Sequence, residues 1–554
     1  MKTLNSIHLK ECLLEHGAVF ATLYILVTLL SWPLGWDNTL LASSLLEGDI
    51  GYTIFIQWWT AEHLFDVSAL SRNIHVQYPI GTDAVRYLFN LPVLLLTIPF
   101  QWMFEPIQAY NQSILFLLSL NGWAGYVFGK RWGKTIGWLC AIALCALPFP
   151  WHELGKGRLE QGFLLPLLCW TDSLFDLRET RQWKKSGFWL AVVTNCYWFY
   201  APMALVLLPF VLGRQIGTYT GTILKMSGLC LVLCLPQVWY IWPLIEQMQQ
   251  SHAFDNPDYL IIQMENSWWP LHSFPYTSLY RAGHLPVLLG GLLLWSPNRK
   301  TLLLLFSTIF ILAMGPFLLY DRQPLELWGQ AWSLPQMLLN QLPFYRRFYW
   351  PYRWLVLLAP LICLAIASLK LQTKWSYALM IGMIIEIWIL LPVGYDPHKN
   401  TLSASTYALP KAGRFVSYEP SDFWSTLPNT DKALLTLPRT LTDQNLDLQV
   451  LDIVHHQRPI SNSLEEIERN KRFKQFANQD PGGFYENWLL MKPLCRSDWD
   501  ASEDFLVEQD FGWVVWYKSR MHNHITPRNY QCLETLLGEP TYQDSQVSAW
   551  KIES

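Results

Sequence analysis

Asp49 sits in the run Leu46-Glu47-Gly48-Asp49-Ile50-Gly51-Tyr52, a short distance past the first long apolar segment. A carboxylate there has two uses. It can take the proton of an acceptor hydroxyl, which is a poor nucleophile until deprotonated. It can instead cap the amphipathic helix that starts beside it, because helix N-termini favour an anion. Asp37, between Trp36 and Asn38, lies closer to the apolar segment and reads as an ordinary turn acid. A second group is dense in charge: His152, Glu153, Lys156, Arg158 and Glu160 within the stretch Trp151 to Glu160. A third is Leu342-Pro343-Phe344-Tyr345-Arg346-Arg347-Phe348-Tyr349-Trp350-Pro351-Tyr352-Arg353. Cations interleaved with aromatics suit an anionic lipid headgroup such as a phosphate or pyrophosphate. The plainer reading is a set of snorkelling anchors in an aromatic belt.

The elements that must position these groups are read from composition and hydropathy. Hydrophobic residues are 51% of the 554 and charged residues only 15%, against about 25% charge in a soluble domain. Residues 1–395 hold 24 of the 40 Lys and Arg; residues 396–554 hold the other 16 in a much shorter stretch. The chain therefore divides into a lipid-like part, 1–395, and a soluble part, 396–554. A net charge of −3 argues against a nucleic-acid partner, which needs a basic face.

Apolar runs fall at 17–34, 84–104, 109–129, 135–149, 160–177, 187–213, 222–243, 285–297, 301–319, 352–369 and 375–394. A bilayer-crossing helix needs about 20 residues, so the shorter runs must extend into their flanks. The basic connectors are Lys130-Arg131-Lys134, Arg178 to Lys185, Arg214/Lys225, Arg299-Lys300 and Lys370/Lys374. All lie on one side if 84–104 only dips into the membrane and 187–213 breaks into two helices near Tyr200-Ala201-Pro202; the positive-inside rule makes that side cytoplasmic. The expectation is an α-helical polytopic membrane protein of about eleven spans with its N-terminus inside. Outer loops then fall at 35–108, 150–160, 244–285 and 320–351. The first span reads as an uncleaved anchor, since no Ala-x-Ala site follows it.

Residues 396–554 carry β-like runs at Ala433–Pro438, Phe511–Tyr517 and Val547–Ile552, with helical stretches such as Ser463–Ala477 between them. An α/β module is expected. Cys495 and Cys532 are its two cysteines; on the outer face they can pair or remain thiols.

The order of features carries a resemblance. A first span is followed by the acidic Gly48-Asp49 loop with its aromatic helix, then Tyr78-Pro79-Ile80-Gly81. Short spans broken at Lys130-Arg131 lead to Pro150-Trp151-His152-Glu153 and Arg158-Leu159-Glu160-Gln161, and the arginine-aromatic run at 342–353 precedes the distal soluble domain. Over about residues 10–395 this resembles the GT-C class of polytopic membrane glycosyltransferases, in particular its bacterial branches. The resemblance implies a sugar donor on polyprenyl phosphate, Asp49 as general base on the acceptor, and Glu153 and Glu160 as a second acidic site. His152, Lys156, Arg158, Arg346, Arg347 and Arg353 would bind the lipid-linked donor. A single base fits one inverting displacement better than the paired carboxylates of a retaining hydrolase. It also implies a bacterial inner-membrane protein with residues 396–554 in the periplasm, in contact with membrane lipids and with an acceptor that the residues do not identify.

The first loop has no DxD motif, and His63, His75, His252, His272 and His284 show no metal spacing. Neither an obligatory metal nor a cofactor is expected. Two other classes stay open. A transporter would use charges inside spans, for which Asp172 and Glu386 are the conspicuous acids. A catalytically inactive scaffold of the same fold would use residues 396–554 to hold a partner.

Overall fold

The computed structural model describes residues 2–32, 34–38, 40–41, 49–66, 72–73, 75–76, 78, 81–83, 90–250, 259–265, 267, 296–320, 323–342, 345, 348–369, 373–390, 416–418, 420–427, 432–437, 449, 451–454, 456–461, 475–489, 492–518 and 525–552. It divides into two compact units. One is Met1–Asp37, Phe89–Leu96 and Asn111–Phe415; the other is Asn38–Leu88, Thr97–Tyr110 and Val416–Ser554. Asn38–Leu88 of the first outer loop, Asp49 among them, thus share a unit with the C-terminal segment rather than with the helical part.

The first unit is helical. Among the described residues three helices are long and apolar enough to cross a membrane: Leu13–Leu30, Tyr200–Trp242 and Pro351–Leu369. The bent pair Lys134–Ala146 and Phe149–Gly155 makes a fourth if it counts as one span. The chain is an integral membrane protein; the eleven spans expected are not confirmed among the described residues. Several helices there are short. Leu91–Gln101 has 11 residues, Trp183–Cys196 has 14, Arg299–Ala313 has 15 and Leu165–Thr180 has 16, and at about 1.5 Å per residue none reaches the hydrocarbon thickness of roughly 30 Å. Of the run at 285–297 only residues 296 and 297 are described. The break expected near Tyr200 is present: one helix ends at Cys196 and the next begins at Tyr200.

Two ionic knots gather helix ends. Arg131 Nη2 lies 2.8 Å from Asp172 Oδ1 and 2.7 Å from Asp176 Oδ1, and Lys185 Nζ closes on the other oxygens at 3.0 and 2.6 Å. Asp172 and Asp176 are one helical turn apart and so share a face. The knot puts the connectors at 130–134 and 178–185 at one end of the unit. Lys130 Nζ reaches Glu15 Oε1 at 2.9 Å from the same connector. Asp172, a candidate transport acid, is thereby engaged in tying helices. The side chain of Glu386 lies outside the described residues.

Irregular backbone inside such a bundle needs partners, because lipid supplies none. Asn121 provides them where the chain breaks between Gly162 and Leu165. Its Oδ1 accepts from the N–H of Leu164 at 2.7 Å, and its Nδ2 donates to the carbonyl of Gly162 at 2.8 Å.

The second unit holds a four-stranded sheet in the order Tyr542–Gln543, Val547–Lys551, Phe511–Tyr517, Ala433–Leu437, with only the last pair parallel. Its three longer strands are the three runs expected from sequence. Helices Phe484–Leu489, Trp499–Glu508 and Ile525–Leu537 accompany it, and Leu435, Phe484, Trp488, Val514, Trp516 and Leu533 fill the core. Of the helix expected at 463–477, only residues 475–477 are described, and these are helical. Cys495 and Cys532 form a disulfide, which settles the choice left open by the sequence.

The first outer loop is stitched into this unit as added strand. Leu40 and Leu41 pair with Ser417 and Val416. The carbonyl of His75 accepts from Ile460 N–H at 2.9 Å, and Tyr78 N–H donates to Ile460 O at 3.0 Å. Ile460 is itself bridged in parallel to Leu434 of the sheet. Tyr485 Oη donates to the Tyr78 carbonyl at 3.2 Å, and the Tyr78 ring stands edge-on to Phe511.

Candidate functional site

The helix Pro148–Gly155 begins with proline, whose missing N–H costs nothing at a helix start. It ends in a Schellman turn. Gly157 N–H donates to Leu154 O at 3.2 Å and Arg158 N–H to Glu153 O at 2.9 Å, the pairing that defines this motif. Gly157 takes φ +83°, a left-handed conformation that glycine adopts without steric cost. The turn folds the chain back so that Arg158 returns to Glu153. A second short helix, Leu159–Gly162, then lies against the first. A Cβ on Gly162 would fall 2.3 Å from Leu154 Cγ, so only glycine permits the approach.

Glu153 is fully buried. Tyr352 Oη donates to its Oε1 at 2.6 Å. Arg158 Nη1 donates to Tyr352 Oη at 3.3 Å and stands 3.5 Å from Glu153 Oε2. His152 Nε2 is 4.0 Å from Glu153 Oε1. The Tyr352 bond ties the 150–160 segment to the start of the span Pro351–Leu369.

Arg353 is also buried and donates through Nη1 to Tyr197 Oη. Its guanidinium lies 4.0 Å from the ring centre of Trp350, and that of Arg158 lies 5.7 Å from the same ring, both within cation–π reach. Glu160, buried nearby, accepts from Asn90 Nδ2 at 3.0 Å and Gln161 Nε2 at 2.9 Å. Burial pushes the Glu160 carboxyl above its ordinary range, against the pull of these hydrogen bonds and of the Arg353 charge. Two carboxylates and two guanidiniums thus share one aromatic-walled cluster, in which Arg158 is the more accessible cation.

Of the residues singled out by sequence, His152, Glu153, Arg158, Glu160 and Arg353 come together, and Lys156 lies half-buried in the turn that joins them. Arg346 and Arg347 lie outside the described residues. Asp49 belongs to the other compact unit. It holds the N-cap position of helix Ile50–His63, where its side chain makes no capping bond. Full burial also alters the expectation for Glu153: its carboxylate holds Tyr352 and Arg158 in place and is not presented to solvent. Sequence reasoning assigned no role to Tyr197, Asn90 or Gln161, and took Trp350 and Tyr352 only as the aromatic setting of the arginines. Among the described residues no group of three or more His, Cys, Asp or Glu side chains is placed to hold a metal.

No family model matches the chain, and no curated protein matches it significantly. Two solved structures are similar to it. One is the oligosaccharyltransferase of Archaeoglobus fulgidus, with TM-score 0.42 and 12% identity over 90% of this chain and 68% of that one. The other is the arabinofuranosyltransferase AftD from Mycobacteria, with TM-score 0.47 and 11% identity over 98% of this chain. This chain spans only 40% of the length of AftD. With both scores under 0.5, neither likeness carries a substrate or a mechanism across. What the helices and the sheet define directly is an integral membrane protein with a small mixed α/β module held by one disulfide.

Proposed function

We propose that this protein is a membrane glycosyltransferase of GT-C type that moves a sugar from a polyprenyl-phosphate donor to an acceptor hydroxyl. The observation that carries the reading is the cluster at Trp350, in which two arginines meet one indole and a buried carboxylate holds one of them. Arginines fixed in this way are preorganised for phosphate oxygens and need no reorientation as charge develops on the leaving group. A general base, for which Asp49 is the candidate, takes the acceptor proton, the acceptor oxygen attacks the anomeric carbon, and the bond to the lipid phosphate breaks with inversion. The lipid phosphate leaves as an anion beside Arg158 and Arg353. Glu153 and Tyr352 position Arg158, and Glu160 with Asn90 supports the cluster from the other side. The disulfide suits an oxidising compartment, in keeping with a periplasmic C-terminal module and a bacterial inner membrane.

A second reading has a specific observation in its favour. The two carboxylates balance the two guanidiniums, as they would in a scaffold that has kept the fold and lost the reaction. Direct binding separates the two. Polyprenyl phosphate is titrated into the purified full chain, wild type and Arg158→Gln, and followed by native mass spectrometry. Loss of a charge-assisted phosphate contact weakens binding by about 10- to 100-fold. Equal affinity in both proteins would remove the phosphate site and leave the scaffold.

A further inference from the structure

Between helix Arg299–Ala313 and the span beginning at Pro351, the chain forms a small β structure with an exposed tip. Leu319–Tyr320 pairs with Gln323–Pro324, and Glu326–Leu327 pairs with Gln330–Ala331. Leu318 N–H donates to Trp332 O, and Trp332 N–H to Leu325 O, each at 2.9 Å. The two-residue turn of the second hairpin is Trp328-Gly329, with φ +54° and +75°. Such turns favour Asn-Gly or Gly-Gly, because both central residues need positive φ. A bulky side chain at the first position is a conformational outlier. Trp328 is nevertheless 97% exposed, so no packing within the chain offsets that strain. An exposed indole at a strained turn calls for an occupant outside the chain.

We propose that this hairpin tip is an interfacial anchor, with Trp328 seated in the lipid leaflet at the Pro351 end of the helical unit. Location argues for lipid. A Cβ on Gly315, at the base of the structure, would lie 3.5 Å from Pro351 Cγ, and Pro351 is the first residue of a membrane-crossing helix. Just after the hairpin, Gln336 Oε1 accepts from Trp354 Nε1 of that helix at 3.2 Å. The hairpin is therefore rooted at the end of a span, where its tip reaches the headgroup layer. Composition agrees. The exposed side chains of the connection include Leu325, Trp332, Leu338 and Leu342, an aliphatic and indole surface of the kind that settles at membrane interfaces. The ladder pairs backbone groups within the hairpin, which lowers the cost of entering that layer.

The test is a depth measurement on the full chain in lipid nanodiscs. A nitroxide is placed at Trp328→Cys, with Cys12 and Cys169 changed to Ser to limit background labelling. Collision with oxygen is compared with collision with a water-soluble nickel chelate. The anchor predicts at least a threefold excess of oxygen over nickel accessibility relative to a label on a soluble loop. A label swept by nickel as freely as that loop overturns the proposal. So does a label shielded from both probes, which would mean that a glycan or a protein covers the tip. If the first variant does not fold, Gln330→Cys on the same hairpin is read by the same criterion.

Discussion

Glu153 is wholly buried, with Tyr352 donating to one carboxyl oxygen and Arg158 3.5 Å from the other. In the proposed reaction its place is behind the arginine. Asp452 is a comparable case in the other unit. Tyr418 Oη donates to its Oδ1, and burial pushes its carboxyl up to about 7. The sign follows from proton counting. Between about pH 4 and 7 the folded state keeps a proton that the unfolded chain has lost, so stability is greatest at the low end and falls as pH rises through the folded value. A shift of this size amounts to a few kcal/mol, on the order of 1.4 for each pKa unit. Thermal unfolding of the full chain between pH 4 and 8 is expected to show this decline in the transition of the α/β module, and Asp452→Asn is expected to flatten it. A module that is equally stable across that range would contradict the assignment.

At the scale of elements, the turn after Pro148–Gly155 decides where Arg158 points. The Schellman pairing and the positive φ of Gly157 bring the arginine back onto the carboxylate five residues earlier. Gly157→Ala is expected to cost about 1 kcal/mol of stability and to lower polyprenyl-phosphate affinity, because Arg158 is displaced from Trp350. Unfolding midpoint and titration on the same preparation check both effects; unchanged affinity would show that the turn does not set the arginine. The stitches at Leu40–Leu41, His75 and Tyr78 act on the other loop. They bond the loop that carries Asp49 to Val416–Ser417 and to Ile460 within the same unit.

At the scale of the molecule, local patterns were legible and distant pairings were not. Alternation and β-branched content marked the strands at 433–437, 511–517 and 547–551 with boundaries good to a residue. The break before Tyr200 followed from charge placement alone. The meeting of Glu153 with Tyr352, 199 residues away, has no local signature, and neither do the bonds of His75 and Tyr78 to Ile460. The eleven expected spans are not confirmed among the described residues, where three helices are long and apolar enough to cross; hydropathy marks apolar stretches without showing where their helices end. Cys495 and Cys532 were visible as a pair but not as a bond. The disulfide closes a separation of 37 residues, for which the chain-entropy model gives about 4 kcal/mol. Cys495→Ser with Cys532→Ser is expected to lower the unfolding midpoint of the module accordingly, and an unchanged midpoint would contradict that. The central claim is the transfer reaction, with Asp49 as its proposed base, and the most direct measurement is a comparison of lipid-linked sugars and surface glycans by mass spectrometry in cells carrying wild type, Asp49→Asn or a deletion. The account predicts that Asp49→Asn, at normal protein level, matches the deletion, with a glycan product lost and a polyprenyl-phosphate sugar accumulating. An Asp49→Asn strain indistinguishable from wild type, beside a deletion with a clear defect, would contradict it.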